Sequence, residues 1–436
     1  MLNILLLMLC IYLGVLRKRI FSPVYLYALV LSFYPITVWL YTDFLPRDYL
    51  PEIFPNFRES EIDEFYLISA FSVMGLLTAD FLISRSKDYL LYFPNELGGR
   101  MIFYRKVAGI FALLLVVGMS VYVYLNKDSF ISAYIYQLLR ASNFDSELSD
   151  VLANYNMLEV LFLTNVFFLY VLYDGQPHKT KLFLISISIF LILKVAIGSR
   201  LMIVPIILMG LLFFRRVDRR NIGNKDKKQF LKITAALSCV ILLFIFMNYY
   251  RDRDGQKDFR GGFVDFTQEY LFASISALHS VSYVDKSAAP NGVGMALDGV
   301  VAIIPSVFIG GASAKNDILE FSRWKDSVGG YSEISPVGGY YMPGQVYLMV
   351  KSKFFCFFVF LGLGLFLCRM ECLFYKSKST WVKVSAAQIC CFGLVYGVRS
   401  EFWIFEKILI QQALLITYLT YLCYVGIYKI SLLKND

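Results

Sequence analysis

Charge is scarce in this chain. Only 17% of its 436 residues are Asp, Glu, Lys or Arg, whereas a soluble domain carries about a quarter. Histidine is scarcer still: His178 and His279 are the whole supply. Support for a membrane acyltransferase with an embedded catalytic histidine is therefore thin. The eight cysteines all lie in or beside apolar stretches, and none falls between Arg251 and Tyr340. That distribution offers neither a disulfide framework nor a C-x-x-C metal site. No Walker loop, H-E-x-x-H or Ser-His-Asp set is present. With no ATP site in the chain, a reaction here must consume a substrate activated elsewhere. No internal repeat is evident, which weighs against the inverted-repeat transporters. Met1–Leu16 is apolar from its first residue, with no basic segment before it and no A-x-A-like site after it, so no cleavable signal peptide is expected.

What the chain has in abundance is apolar sequence. Hydrophobic residues make up 58% of it and the mean hydropathy is +0.60, which predicts an all-α integral membrane protein. A helix needs roughly 20 apolar residues to cross a bilayer. Spans are expected near 1–16, 24–44, 65–84, 107–125, 156–173, 181–198, 201–214, 231–250, 354–374, 384–398 and 402–428, about 11–12 transmembrane helices in all. Basic residues crowd alternate gaps: Arg17, Lys18 and Arg19; Arg85, Lys87, Arg100, Arg105 and Lys106; Lys179 and Lys181; Arg215, Arg216, Arg219, Arg220, Lys225, Lys227 and Lys228; Lys376, Lys378 and Lys383; Lys429 and Lys434. The gap from Asp43 to Glu64, of opposite parity, is acidic. By the positive-inside rule the N-terminus is expected outside and the C-terminus inside. The net charge of +9 is read as this topology signal rather than as a nucleic-acid surface.

Three segments follow: transmembrane helices with short loops over 1–250, a long outer loop over 251–340 and C-terminal helices over 341–436. The outer loop is Gly-rich but carries Phe263, Phe266, Tyr270, Phe272, Tyr283, Phe308, Trp324 and Tyr331, so it is expected to be partly helical and functional. Its apolar piece Met295–Ile309 is expected to lie on the membrane or enter it part-way.

The candidate chemistry gathers at the outer face. Tyr250-Arg251-Asp252-Arg253 closes the eighth span, with Arg260 nearby. Arginine offers five donors in a planar fork that matches phosphate, and arginine outside runs against the charge bias. Gly198-Ser199-Arg200 is a tight outer connection, with Lys194 inside the preceding span, where an ionisable group is a functional hypothesis by default. Ser335-Pro336-Val337-Gly338-Gly339-Tyr340-Tyr341 pairs glycines that admit close backbone approach with tyrosines suited to sugar contacts. Arg399 and Glu401 flank another outer turn. Glu333 and His279 stand among the acid–base candidates. Each cluster also has a plain structural reading: interfacial charge neutralised by Asp252, Asp254 and Asp258, a lysine snorkelling to the surface, an aromatic belt, an ion pair across a turn.

Together the many-span layout, the Gly198–Arg200 turn, the Tyr250–Arg253 stretch leading into the long loop and the Ser335–Tyr340 stretch leaving it resemble the O-antigen polymerases, the Wzy-type oligosaccharide repeat-unit polymerases. An Arg-x10-Gly spacing described for such loops can be laid on Arg251 and Gly262. The resemblance implies a GT-C-like, nucleotide-sugar-independent glycosyltransferase of the bacterial inner membrane with its active site facing the periplasm. It implies undecaprenyl-pyrophosphate-linked oligosaccharide and membrane lipids as partners and leaves room for a chain-length regulator protein. No nucleic acid, cofactor or metal is expected. On this reading Arg251, Arg253, Arg200, Glu333 and His279 carry the reaction. Tyr250, Arg260, Gly262, Ser335, Gly338, Tyr340, Tyr341, Arg399, Glu401 and Lys194 bind substrate. The rivals are an O-antigen ligase using the same donor and a lipid-linked oligosaccharide flippase or transporter.

Overall fold

The computed structural model describes residues 2–16, 22–43, 57–84, 99–130, 146–197, 203–218, 259–285, 290–304, 318–328, 340–399 and 402–433, with no strand among them. The helices are α1 (Leu2–Leu16), α2 (Pro23–Asp43), α3 (Glu59–Ser84), α4 (Gly99–Leu125), α5 (Ser146–Leu172), α6 (Lys181–Ile197), α7 (Val204–Asp218), α8 (Phe259–Asp285), α9 (Gly292–Ile303), α10 (Glu320–Ser327), α11 (Met342–Val350), α12 (Lys353–Lys376) and α13 (Thr380–Arg399). A last run begins as α14 (Phe402–Lys407), widens into a π-helical stretch over Ile408–Ile416 and ends as α15 (Thr417–Leu433). In hydrocarbon every backbone polar group must be satisfied internally, and helices apolar on all sides are one of the two ways to do so.

Seven of the described helices are long and apolar enough to cross a membrane: Pro23–Asp43, Glu59–Ile83, Arg100–Leu125, Asn154–Leu172, Lys353–Lys376, Thr380–Val398 and Ile404–Leu433. The chain is therefore a multi-pass, all-α membrane protein. Three further expected spans correspond to α1, α6 and α7, of 15, 17 and 15 residues. At 1.5 Å per residue their described residues extend about 23–26 Å, against a hydrocarbon core of about 30 Å. The span expected at 231–250 lies outside the described residues.

The segment expected as a partly helical outer loop contains α8, 27 residues long, with Leu271–Leu278 buried along it. The piece expected at Met295–Ile309 is helical over Gly292–Ile303. Reciprocal capping joins α9 to α10. The Asn291 side chain accepts the Val293 N–H at 3.1 Å, Glu320 Oε1 accepts the Asn291 N–H at 3.2 Å, and the Asp298 carboxylate accepts the N–H groups of Glu320 and Phe321 at 2.8 and 2.9 Å. Amides at two helix starts are thereby satisfied by side chains.

By its contacts the chain forms two units. One comprises Met1–Tyr89, Phe263–Glu371 and Phe392–Ile410; the other comprises Leu90–Gly262, Cys372–Cys391 and Gln411–Asp436. In the first, α3 and α12 run in the same direction at backbone distance. A Cβ on Gly75 would stand 2.4 Å from the Phe357 carbonyl oxygen, and one on Gly364 would stand 2.6 Å from Ala79 Cβ. Lys353 Nζ meets Glu64 Oε2 at 2.9 Å near their N-terminal ends. Small residues serve this role in membrane interiors because dispersion, not the hydrophobic effect, drives helix contact there. Pro35 sits inside α2. Lacking an N–H, it leaves the Leu31 carbonyl without its helical donor. The Tyr341 hydroxyl donates to that oxygen at 3.0 Å.

In the second unit a buried polar ladder links three helices. Gln388 Nε2 donates to Thr164 Oγ1 at 3.1 Å, and the single Thr417 hydroxyl proton is shared between Gln388 Oε1 at 3.1 Å and the Gln412 carbonyl at 3.3 Å. The last of these contacts reaches a carbonyl in the middle of the π-helical stretch. Tyr424 and Asn165 hydrogen-bond nearby. α5 ends with Asp174 at φ 54° and Gly175 at φ 79°. The Gly175 N–H reaches the Tyr170 carbonyl at 2.8 Å and the Asp174 N–H reaches that of Val171 at 3.2 Å, a Schellman cap that ends the helix.

Candidate functional site

Two of the four sequence clusters meet in the first unit. The tyrosine pair at 340–341 leads directly into α11, and the Gly397 turn ends α13. The Tyr27 hydroxyl donates to the Gly397 carbonyl at 2.5 Å and lies 3.2 Å from Met342 Sδ. A Cβ on Gly397 would meet that hydroxyl at 2.7 Å, so only glycine lets the phenol so close to the backbone. Across the same meeting point, the Phe402 N–H donates to Gln345 Oε1 at 2.7 Å, which satisfies an orphan amide at the start of α14. Gln345 is 1% exposed, and its Nε2 has no hydrogen-bond partner among the described residues. Sequence reading missed this residue. Its signal, one amide side chain in an otherwise apolar nonamer after Pro343-Gly344, is weak.

Tyr341 and Tyr340 are buried. Tyr341 stacks on Tyr34 at 4.6 Å and leans on Phe65 at 5.6 Å, and its N–H reaches Ser276 Oγ at 3.3 Å. Burial pushes its hydroxyl well above the ordinary phenol range, with Ser69 as a second side-chain partner. Tyr340 packs edge-on to Phe321 at 5.3 Å, in a core with Met295, Trp324 and Leu348. Protein groups occupy the faces expected for sugar stacking.

His279 is half-buried on α8, edge-on to Phe57 at 4.9 Å and 6.4 Å from Tyr283. Tyr283 in turn meets Trp324 at 5.5 Å, and its hydroxyl donates to the Val328 carbonyl at 3.1 Å. Asp298, which holds α10, is a residue the sequence does not single out. Burial raises its carboxyl above the ordinary carboxylate range, while the two backbone N–H groups it accepts pull the other way. A Cβ on Gly299 would fall 2.4 Å from Glu406 Cβ, so α9 lies tight against α14 at that residue.

Arg260 and Gly262 belong to the first turn of α8, and Arg399 is the last residue of α13. Tyr250, Arg251, Arg253, Arg200, Glu333, Ser335, Gly338 and Glu401 lie outside the described residues. No group of three or more His, Cys, Asp or Glu side chains suited to a metal is found among the described residues.

Lys194 belongs to the second unit. It is 1% exposed and forms an ion pair with Glu159 on α5, with the Tyr155 and Phe190 rings 5.1 and 5.7 Å from its Nζ. Glu159 is a residue the sequence does not single out: it falls inside the fifth expected span, where its position one turn from the span's start gives it the look of an interfacial acid. Breaking such a pair leaves an uncompensated charge at membrane depth.

Comparison with protein-family models, curated proteins and solved structures found no match to this chain.

Proposed function

We propose that the chain is a lipid-carrier-dependent polysaccharide polymerase of GT-C-like architecture that works at the periplasmic face of the bacterial inner membrane. The observation that supports it most is the meeting of Met342 and Gln345, which follow the Tyr340–Tyr341 pair, with Gly397 and Phe402 through Tyr27 and the Gln345 side chain. The outward arginines supply the chemistry. In this reaction the hydroxyl oxygen of the acceptor's non-reducing-end sugar attacks the anomeric carbon of the lipid-linked growing chain. The bond from that carbon to pyrophosphate breaks, and its electron pair leaves with undecaprenyl pyrophosphate. Arg251, Arg253 and Arg200 stabilise the charge that develops on the leaving phosphate. His279 or Glu333 takes the proton from the attacking hydroxyl.

A transporter of lipid-linked oligosaccharide is the second reading, favoured by the Lys194–Glu159 pair at membrane depth. The test is reconstitution of the purified protein in liposomes with undecaprenyl-pyrophosphate-linked repeat units and no nucleotide sugar. The polymerase reading predicts longer lipid-linked chains with release of undecaprenyl pyrophosphate, lost in Arg251→Ala and Arg253→Ala. Translocation without chain growth favours the transporter. Growth only on a lipid A-core acceptor makes the protein a ligase.

A further inference from the structure

α1, α2 and α3 enclose a cleft of about 350 Å3 at the end of the group where α2 finishes and α3 begins. Its apolar wall is Leu2, Ile4, Pro35, Ile36 and Leu67; its polar groups are Asn3, Trp39, Asp63 and Tyr66. The volume lies at the lower end of the roughly 300–1,000 Å3 typical of small-ligand sites, and an apolar lining with a few convergent polar groups is the usual composition.

The polar groups set the ligand chemistry. Asn3 is buried at 7% exposure and donates Nδ2 to the Tyr66 carbonyl at 3.3 Å, while its Oδ1 is buried without a hydrogen-bond partner among the described residues. A buried acceptor left open is costly and calls for a donor. Asp63 is exposed and adds a carboxylate, an acceptor only. Trp39 and Tyr66 are half-buried and present ring surface. No Lys, Arg or His lines the cleft among the described residues. Two oxygen acceptors beside two aromatic rings, with no cation among the described lining residues, suit a ligand with several hydroxyl donors and apolar C–H faces. They repel phosphate.

We propose that this cleft is a saccharide subsite that takes the uncharged sugar end of a lipid-linked substrate and excludes its pyrophosphate. The proposal rests on the polymerase reading for the identity of its ligand. It adds that the acceptor's sugars bind at α1–α3, with sugar hydroxyls donating to Asn3 Oδ1 and Asp63 and a ring lying against Trp39 or Tyr66. The apolar wall receives the C–H face of that ring.

The test uses the purified full chain in nanodiscs and, as probe, the host's repeat-unit oligosaccharide freed from lipid and phosphate by mild acid and labelled at its reducing end. Equilibrium dialysis gives its affinity for wild type, Asn3→Leu, Asp63→Ala, Trp39→Phe and Trp39→Ala. Loss of a charged or buried hydrogen bond predicts about ten-fold or greater weakening for Asp63→Ala and Asn3→Leu. Trp39→Phe should bind better than Trp39→Ala because it keeps a ring. Inorganic pyrophosphate should not displace the probe. Ile36→Trp fills the cleft without removing a polar group and should block binding, which decides the matter should a polar variant fold poorly. Absence of probe binding to wild type overturns the proposal, as do unchanged affinities in all the variants or displacement by pyrophosphate. Chain growth in the liposome assay, on the same preparation, is read separately, so a polymerase without this subsite and a subsite on a non-polymerase give different results.

Discussion

Pro35 and Tyr341 are 306 positions apart, yet one carbonyl joins them. Proline at the fourth position after Leu31 removes the amide that would have paired with its oxygen, and the Tyr341 hydroxyl replaces it at 3.0 Å. Tyr341→Phe deletes the donor and leaves a buried carbonyl unpaired. A lost buried hydrogen bond costs about 1–3 kcal/mol, but interhelical bonds in membranes average about 0.6 and reach about 1.7 kcal/mol, so about 1–2 kcal/mol is expected. In a Pro35→Ala background the helix recovers its own amide, and Tyr341→Phe should then cost about 1 kcal/mol less. The assay is a double-mutant cycle on detergent-solubilised protein, with stability read by denaturant titration of near-UV circular dichroism. Changes in kink and packing caused by Pro35→Ala alone cancel in the coupling term. Additivity within about 0.3 kcal/mol, the usual scatter for independent sites, would refute the reasoning.

Four further outcomes follow. Gly344→Ala places a Cβ 2.6 Å from Ala277 Cα. Overpacking of that kind costs about 3 kcal/mol or more, read as loss of folded protein on size exclusion, and Ala277→Gly should restore part of it. Lys194→Met and Glu159→Leu should each cost about 3–5 kcal/mol, and the double substitution should regain most of that in the same unfolding assay. Asp298 has a raised carboxyl pKa in the folded protein, so it binds its proton more tightly when folded, and its contribution is greatest below the ordinary Asp value of about 3.9 and is lost as pH rises through the folded value. Wild type should therefore lose thermal stability relative to Asp298→Asn as pH rises through that window; a constant difference would contradict it. Arg251→Lys and Arg253→Lys should restore only part of the polymer lost in the alanine variants, because lysine lacks the fork; full rescue would show that charge alone suffices.

Much of the helical layout is legible in the sequence, because hydropathy reports length and apolarity directly. The expected spans at 24–44, 65–84, 354–374 and 384–398 fall within a few residues of α2, α3, α12 and α13. Partners inside the bundle are not legible. Lipid tails and protein interior are equally apolar, so Gly75, Gly364 and Gly344 look like any small residue until the opposing backbone is known. Tyr340 and Tyr341 read as a sugar platform because adjacent tyrosines at an interface fit one, but their faces lie against Tyr34, Phe65 and Phe321. Glu159 was hidden because a carboxylate one turn into a span resembles an interfacial acid; its burial follows from Lys194 on a different helix. Asn3, Trp39, Asp63 and Tyr66 come from three helices, and no spacing in the chain joins them.

The most direct measurement is the surface-polysaccharide banding of the native host lacking this gene, complemented with wild type or with the Arg251→Ala protein at matched membrane levels. The polymerase account predicts a full ladder with wild type. With the gene absent or with Arg251→Ala, it predicts a single repeat unit still attached to core, since transport and ligation continue without chain growth. Loss of every unit, including the single one, would contradict it and assign the protein to transport or ligation. An unaltered ladder in the deletion strain would remove it from polysaccharide assembly altogether.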